Sequence, residues 1–484
     1  MSYNGFSILL EKSMNQIVEH YDIAILGGGP AGYIGALRAV QLGKTVCIIE
    51  KEEVGGACLL HGCIPTKSLL SSSELLYKIQ HAEEYGIIVE GTVKPDYPKI
   101  IQRKNQIITI LINGIKNLLK SSQIPIYYGS GYIKNSKTIE VTPMLGKSRL
   151  ISTDNIVIAT GSRPADIPGF AFDGKRILST NDILRMTEIP SSLLILGAGA
   201  AGCEFAFTFA ELGSQITVVE MMPHALPLED IEISELLERQ FRKRKIRLLT
   251  NTKLASLDMT GNNRITAHLN QGEPIHADKL LITVGRILNT KHIGLEEIGV
   301  KLGPIGEIIV NARMETTVPS IYAAGDVTGK YLLAHVASAQ AMITIENICG
   351  KNREMDYRTV PWTTFTHPPV SHVGLTEKQC IQKKRKIRIG RFQFRALGAA
   401  QVSNELDGMV KIIVDYKSDE ILGVHILGSR STELIHEAVV AMEHHVTAKR
   451  LGETIHAHPT LSEAMMEAVH DLHGDSIHIP KKLS

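Results

Sequence analysis

Asp22-Ile23-Ala24-Ile25-Leu26-Gly27-Gly28-Gly29-Pro30-Ala31-Gly32 is the stretch on which the fold turns. A short β-rich apolar run leads into G-x-G-x-x-G, and a helical pattern follows over residues 33–42. Gly43 closes that pattern, and Thr45-Val46-Cys47-Ile48-Ile49-Glu50 reads as the next strand. Each part has a physical role. Gly27 makes the tight turn, Gly29 lets backbone approach a pyrophosphate, and Gly32 lets helix pack on strand. The helix N-terminus holds phosphates, and Glu50 can accept hydrogen bonds from a ribose. A bare glycine pattern says little. With two strands, the helix and the acid in place, it predicts a dinucleotide-binding βαβ unit.

The same signature returns downstream. Leu193-Leu194-Ile195-Leu196 leads into Gly197-Ala198-Gly199-Ala200-Ala201-Gly202, then a helical run, Gly213 and a strand ending at Glu220. Positions 27, 29, 32, 43 and 50 recur at 197, 199, 202, 213 and 220, each displaced by 170. Constant register predicts a second dinucleotide-binding domain. Glu220 accepts from a free 2′-hydroxyl and repels a 2′-phosphate, and no Arg stands near it, which favours NAD(H) over NADP(H). The apolar run at residues 193–209 holds three glycines and Glu204, so it reads as strand, turn and buried helix rather than a membrane span.

Between the two lies Gly55-Gly56-Ala57-Cys58-Leu59-Leu60-His61-Gly62-Cys63-Ile64-Pro65-Thr66-Lys67. Five residues of α-helix advance about 7.5 Å and turn a side chain some 140°. A disulfide needs Cα atoms roughly 4.4–6.8 Å apart with converging Cβ vectors. A bridge between Cys58 and Cys63 therefore requires the backbone to leave the regular helix, and Gly62 permits that. Pro65 suits the first turn of a following helix, whose N-terminus would favour a thiolate at Cys63. Taken alone, the pair reads more readily as two unrelated buried thiols.

Composition bounds the rest. The 484 residues are too many for one core, and 44% hydrophobic with 21% charged residues is an ordinary soluble balance. Lys plus Arg exceed Asp plus Glu by 52 − 50 = 2, which points to neither nucleic acid nor an anionic membrane. Arg242-Lys243-Arg244-Lys245 reads as a helix end, and Lys383-Lys384-Arg385-Lys386 as a solvated face. Six cysteines in so long a chain form no secreted disulfide framework; one close pair fits a catalytic disulfide in a reducing compartment. Residues 1–20 lack the pattern of a signal peptide and read as an extension. Further along, strands are expected at residues 137–142, 154–159 and 278–284, each of the last two running into an exit glycine, Gly161 or Gly285. Ser320-Ile321-Tyr322-Ala323-Ala324-Gly325-Asp326 is a buried strand whose terminal acid could bind flavin ribityl hydroxyls or simply start a helix. Residues 409–416 and 421–426 read as antiparallel strands, and residues 433–443 and 449–455 as helices. Among 19 histidines His458 stands out, because Pro459 fixes its backbone and Glu463 is placed to orient its ring. No metal ligand set is read.

Together these motifs resemble the flavin-dependent disulfide oxidoreductases (class I, pyridine nucleotide-linked), over essentially residues 21–478. The first fingerprint, the Cys58-x4-Cys63 segment, Ala-Thr-Gly161, the second fingerprint, Ala-Ala-Gly325-Asp326 and His-Ala-His458-Pro-Thr-Leu-Ser-Glu463 carry the resemblance. The last resembles the branch that oxidises dihydrolipoamide. The family shows Thr where Ala57 stands and Asn-Val where Leu60-His61 stand, so His61 is expected to shift the acidity or potential of the cysteines. The resemblance implies an α/β fold with two Rossmann-like domains, for FAD and NAD, and a C-terminal α+β dimerisation domain. The implied boundaries are 21–162 (FAD), 163–286 (NAD), 287–358 (completing the FAD site) and 359–484 (interface), after the extension at 1–20.

By the same resemblance FAD would contact Gly27, Gly29, Gly32, Glu50, Lys67, Gly131, Thr160, Gly161, Ser162, Asp326, Leu332, Leu333, Ala334 and His335. NAD would contact Gly197, Gly199, Gly202, Glu204, Glu220, Leu254 and Gly285, with Lys67 near the flavin and paired to Glu204. The catalytic set would be Cys58, Cys63, His458 and Glu463. A dithiol attacks the disulfide at Cys58, His458 takes the proton, and Cys63 resolves the intermediate beside FAD, which reduces NAD+. Implied partners are a second copy, whose disulfide His458 would serve, and the lipoyl domains of 2-oxo acid dehydrogenase or glycine cleavage complexes, in the cytoplasm. The rivals are a glutathione or mercuric reductase on the same scaffold, which Glu220 and the missing C-terminal cysteine pair disfavour, and a non-catalytic assembly subunit.

Overall fold

In the computed structural model, which describes residues 19–259 and 264–479, the chain forms two units, each built from three separate segments. The first comprises Met1–Ile64, Gln106–Arg163 and Arg286–Asp356, and the second Pro65–Asn105, Pro164–Gly285 and Tyr357–Ser484. The extension read at residues 1–20 falls outside the described residues except for Glu19 and His20, which open the first strand.

The first unit is laid over a seven-stranded sheet. Its parallel part runs Ile126–Tyr128, Val46–Glu50, Glu19–Leu26, Arg149–Ile158, and Ile321–Ala323 also pairs in parallel with Arg149–Ile158. Thr138–Thr142 and Ser130–Asn135 complete it as an antiparallel hairpin. Val46–Glu50 is buried at every position, as a strand covered on both faces must be. Helix Pro30–Gln41 packs against helix Ala334–Ile348, and Gly35 permits this: a Cβ there would already lie 3.6 Å from both Ala341 and Ile345 side chains.

The second unit holds a five-stranded parallel sheet in the order Arg247–Leu249, Gln215–Val219, Ser192–Leu196, Lys279–Ile282, Ile177–Leu178. It also contains a three-stranded antiparallel sheet (Leu254–Asp258, Ile265–Leu269, Ile275–Ala277). The C-terminal segment forms a five-stranded antiparallel sheet, Pro361–Thr364, Val370–Gly374, Ile421–Leu427, Met409–Asp415, Ile387–Gln393. The Phe205, Phe207 and Phe209 side chains of helix Ala200–Glu211 are buried in the unit's largest core, so the apolar run from 193 is strand, turn and core helix. No helix of the described residues is long and apolar enough to cross a membrane. The run at 383–386 is fully exposed, and the basic run from 242 closes helix Ile231–Lys243.

The displacement of 170 holds in three dimensions. Helices Pro30–Gln41 and Ala200–Glu211 each span 12 residues. Leu26 pairs with Ile49, and Leu196 pairs with Val219. Gly27 and Gly197 have φ of +112° and +101°, open to glycine and costly to other residues. A Cβ on Gly32 would lie 1.8 Å from the Gly27 carbonyl oxygen, and one on Gly202 2.0 Å from that of Gly197. We expect Gly32→Ala and Gly202→Ala each to lose about 1–3 kcal/mol by overpacking helix against turn. Gly114→Ala is the control, since a Cβ there meets nothing within 4 Å inside helix Tyr97–Ser121. It should be neutral or stabilising by up to about 1 kcal/mol. Thermal melting of the three variants side by side checks this; equal midpoints would contradict the packing argument.

Candidate active site

In the first unit the fingerprint leaves its helix N-terminus bare. Gly29 caps Pro30–Gln41 with no side-chain hydrogen bond among the described residues, so the first N–H groups are left for an anion. Glu50 Oε2 accepts from Gly28 N at 2.7 Å and Oε1 from Glu52 N at 2.8 Å. These two bonds fix the carboxylate at the strand's end, where each oxygen keeps a further lone pair for a ribose hydroxyl. The exit of strand Arg149–Ile158 closes over this turn: a Cβ on Gly27 would collide with the Ala159 carbonyl and lie 3.1 Å from Thr160 N. Thr160 therefore abuts the fingerprint, and Gly161 and Ser162 follow it in the chain.

Asp326 begins a short 3-10 turn, Asp326–Thr328, and its carboxylate accepts from Ser162 Oγ at 2.5 Å. Arg286 joins them, donating from Nε to Ser162 Oγ at 2.6 Å and from an Nη to the Ser162 carbonyl at 2.8 Å. Burial pushes the Arg286 guanidinium down, while Asp326 and then Cys63 oppose this, which places Cys63 within the arginine's field. Sequence reasoning misses Arg286. Its position directly after the exit Gly285 is the only signal, and its partners lie 124 and 40 residues away. Leu333 caps helix Ala334–Ile348 from an extended backbone, so Leu332, Leu333, Ala334 and His335 are the entry and first turn of the helix that packs on the fingerprint helix. Gly131 packs closely in this sheet, since a Cβ on it would lie 2.3 Å from the Leu26 side chain.

The cysteine stretch is seated on this turn. Gly55 N donates to the Gly28 carbonyl at 2.8 Å, and a Cβ on Gly56 would sit 2.6 Å from the Gly29 Cα. Cys58 lies in helix Gly56–His61 and Cys63 opens helix Cys63–Gln80, with the break at Gly62 (φ −146°, ψ −106°). A Cβ on Gly62 would stand 3.0 Å from the Ala57 carbonyl oxygen. The regular helix thus stops between the cysteines, and Pro65 falls in the first turn of the next. The Tyr33 phenol is raised by burial and by its neighbour Cys58. His61 Nε2 is 3.1 Å from Glu52 Oε2, so its ring is turned toward a carboxylate.

In the second unit Gly199 likewise caps Ala200–Glu211 without a side chain, and a Cβ on it would meet nothing within 4 Å. Glu220 repeats Glu50: Oε2 accepts from Ala198 N at 2.7 Å and Oε1 from Met222 N at 2.8 Å. Both helix starts, with an open glycine, uncapped N–H groups and a fixed carboxylate, fit the dinucleotides FAD and NAD. Gly285 follows the neighbouring strand exit at φ +140°, and Leu254 opens strand Leu254–Asp258. Glu204 is buried and pairs with Lys67 as expected: Lys67 Nζ is 2.8 and 2.7 Å from its two oxygens, and Phe365 N donates to Oε1 at 3.0 Å. Lys67 Nζ also lies 4.4 Å from the centre of the Phe365 ring. Phe365 carries no sequence signal for this role.

His458 and Glu463 meet in the same unit. His458 Nδ1 is 2.9 Å from Glu463 Oε1, and Thr460 N donates to Oε2 at 2.9 Å. Burial works to raise the Glu463 carboxyl, but the Thr460 and His458 hydrogen bonds outweigh it and hold it below its ordinary value. The His458–Pro459 peptide is cis. The His458 side chain is 75% exposed against 16% for Glu463, so the ring is anchored at one nitrogen and presents the other outward. His456 also has a carboxylate partner. Its Nε2 is 2.7 Å from Glu437 Oε1 and its Nδ1 2.8 Å from the Thr454 carbonyl, and chiefly the Glu437 bond raises its pKa. Sequence does not announce that pair, because Glu437 lies 19 residues upstream on helix Ser431–Glu443.

Comparisons with known proteins agree with this geometry. Residues 21–341 match the model of the pyridine nucleotide-disulphide oxidoreductases, and residues 360–469 match that family's dimerisation domain. The chain is similar to the dihydrolipoyl dehydrogenase of Chlamydia trachomatis serovar D, with 38% identity over 466 residues covering 96% of this chain and 99% of that one. It is 39% identical over 472 residues to a dihydrolipoyl dehydrogenase of Bacillus subtilis, covering 95% and 99%. Among solved structures it resembles LpdA of Mycobacterium tuberculosis, with a TM-score of 0.86 at 30% identity over 94% of this chain and 99% of that one. The HOCl-induced flavoprotein disulfide reductase RclA of Escherichia coli aligns with a TM-score of 0.83 at 28% identity, over 93% and 99%. The uncapped fingerprints, the broken helix between the cysteines and near-full-length relatives lead to one conclusion: the chain belongs to the pyridine nucleotide-disulphide oxidoreductase family, enzymes that work with FAD and NAD.

Proposed function

We propose that the chain oxidises protein-bound dihydrolipoamide to lipoamide with NAD+ as acceptor, through a Cys58–Cys63 redox disulfide. The observation that carries this reading is the bond from Gly55 N to the Gly28 carbonyl, which seats the cysteine segment on a dinucleotide-binding turn. FAD is assigned to residues 21–162 with 287–358, and NAD to residues 163–286. When bound, FAD passes the electron pair between sulfur and nicotinamide. The chain's own residues do the rest. Cys58 receives the attacking thiolate, His458 takes the substrate proton at its outward nitrogen, and Glu463 holds the ring by the other. Cys63 opens a helix and lies in the field of Arg286, surroundings that suit its role as the resolving sulfur. In a homodimer His458 serves the disulfide of the other subunit. Lipoyl domains are the macromolecular substrate, and the setting is cytoplasmic.

The reading is tested with purified protein, dihydrolipoamide and NAD+. Formation of NADH together with yellow flavin absorbance supports it, and flavin-free protein would favour the assembly-subunit alternative. Glutathione disulfide with NADPH tests the nearest rival. The fixed Glu220 carboxylate should keep kcat/KM for NAD+ at least about a hundredfold above that for NADP+. Comparable values for the two nucleotides would remove Glu220 from that role.

A further inference from the structure

One cluster in the second unit has ligand chemistry that the relay does not use. Glu229, His372 and His425 converge there, with one ligand atom from each lying within 4.8 Å of the others. The fold sets this up. His372 and His425 are directly opposed on the antiparallel strands Val370–Gly374 and Ile421–Leu427, and their rings stack at 5.5 Å between centres. Glu229 precedes Asp230, the N-cap of helix Ile231–Lys243, and its Oε1 lies 2.7 Å from His372 Nδ1.

Two atoms in the cluster are unexpectedly bare. His425 has no exposed surface, and its Nε2 donates to the Leu375 carbonyl at 3.0 Å. That bond puts the proton on Nε2 and leaves a lone pair on Nδ1, which has no hydrogen-bond partner among the described residues. Glu229 Oε2, also buried, is likewise without one. Buried polar atoms are nearly always partnered, so two orphans in one small cluster need a reason. A ring held through N–H to a carbonyl, with its other nitrogen bare, is how metal-bound imidazoles are oriented.

The surroundings carry surplus negative charge. Lys411, opposite His425 on strand Met409–Asp415, is buried with Nζ at 2.8 Å from Asp230, 2.6 Å from Glu232 and 2.7 Å from Glu377. Arg391 also pairs with Glu232. Counting Glu229, four carboxylates face two cations, Lys411 and Arg391. We propose that Glu229, His372 and His425 form a binding site for a divalent transition ion, zinc first. Two imidazoles and a carboxylate suit that borderline ion, with water as fourth ligand. Ligand atoms around tetrahedral zinc lie about 3.3 Å apart, so Glu229 and His372 rotate to exchange their 2.7 Å hydrogen bond for the ion. His372, with 14% of its side chain exposed, gives the ion its way in.

The test uses untagged, oxidised holoprotein, in which the Cys58–Cys63 couple offers no thiolates, stripped with chelator and dialysed against zinc. Trp362 is the sole tryptophan and stacks on His372 (6.2 Å between centres, 7° between planes), so its emission reports on the site. We expect one zinc per chain and a saturable change in Trp362 emission. His372→Asn and Glu229→Gln should each weaken binding by about tenfold to a hundredfold while flavin content and dihydrolipoamide turnover stay at wild-type level. Substoichiometric zinc in the wild type, or unchanged affinity in both variants, would overturn the site. Because turnover and flavin content are read separately, failure here leaves the dehydrogenase reading untouched.

Discussion

Cys58→Ser and Cys63→Ser are each expected to abolish dihydrolipoamide-dependent NAD+ reduction, by at least about a thousandfold, or some 4 kcal/mol in barrier. A serine hydroxyl matches the thiol in size but forms no disulfide and resolves no mixed disulfide, so neither half of the exchange survives. The flavin should remain bound. The contacts assigned to it include the Gly27–Gly32 turn, Glu50, Ser162 and Asp326, none of which needs either sulfur. Two readouts therefore separate the outcomes. Flavin absorbance at the wild-type level with lost turnover is the expected result. NADH oxidation by an artificial electron acceptor bypasses the sulfur couple and should persist. A Cys58→Ser protein turning over at the wild-type rate would sink the relay.

Much of this site is legible in the sequence because its geometry is local. A tight turn needs glycine, a close helix–strand contact needs another, and an acid at the next strand's end is fixed by spacing. So the two fingerprints can be read at a displacement of 170, and even the amides bound by Glu50 and Glu220 (Gly28 with Glu52, Ala198 with Met222) keep it. The break at Gly62 is what helix geometry demands if Cys58 and Cys63 are to pair. What escapes depends on residues far apart. Strand Arg149–Ile158 starts five residues before the expected 154, because pairing with both Thr138–Thr142 and Glu19–Leu26 extends it. The last short helix stops at Gly452 instead of near 455. Each unit takes three segments of chain, an arrangement that no linear pattern encodes. Arg286, Phe365 and the Glu229–His372–His425 group belong to the same class: ordinary residues in sequence, given meaning by cross-strand and cross-segment neighbours. His61 lies between. Its position between the cysteines is evident, but its partner Glu52 is not.

His458→Gln is expected to lower kcat with dihydrolipoamide by about 10²–10⁴-fold, the range for removing a positioned general base. Glutamine keeps a hydrogen bond to Glu463 possible and the local fold intact, but it cannot carry the proton. Glu463→Gln should cost less. Its amide still accepts from Thr460 N and still meets the ring, yet it no longer stabilises imidazolium or selects the tautomer. The depressed Glu463 carboxyl sets a sign for pH. Its folded value lies below the ordinary 4.5, so its contribution to stability is complete above that value and is lost as pH falls through the lowered one. The wild type should accordingly keep the His458–Glu463 pair throughout the neutral range, and acid should weaken it only below the normal carboxylate range. Glu463→Gln should lack that acid-dependent component, which thermal melting across pH will read. The decisive comparison is kinetic: both variants should oxidise NADH with an artificial acceptor at the wild-type rate, because that half needs no thiol proton. If His458→Gln instead lost both activities in parallel, the histidine would be holding the fold together, and proton transfer would have to be assigned elsewhere.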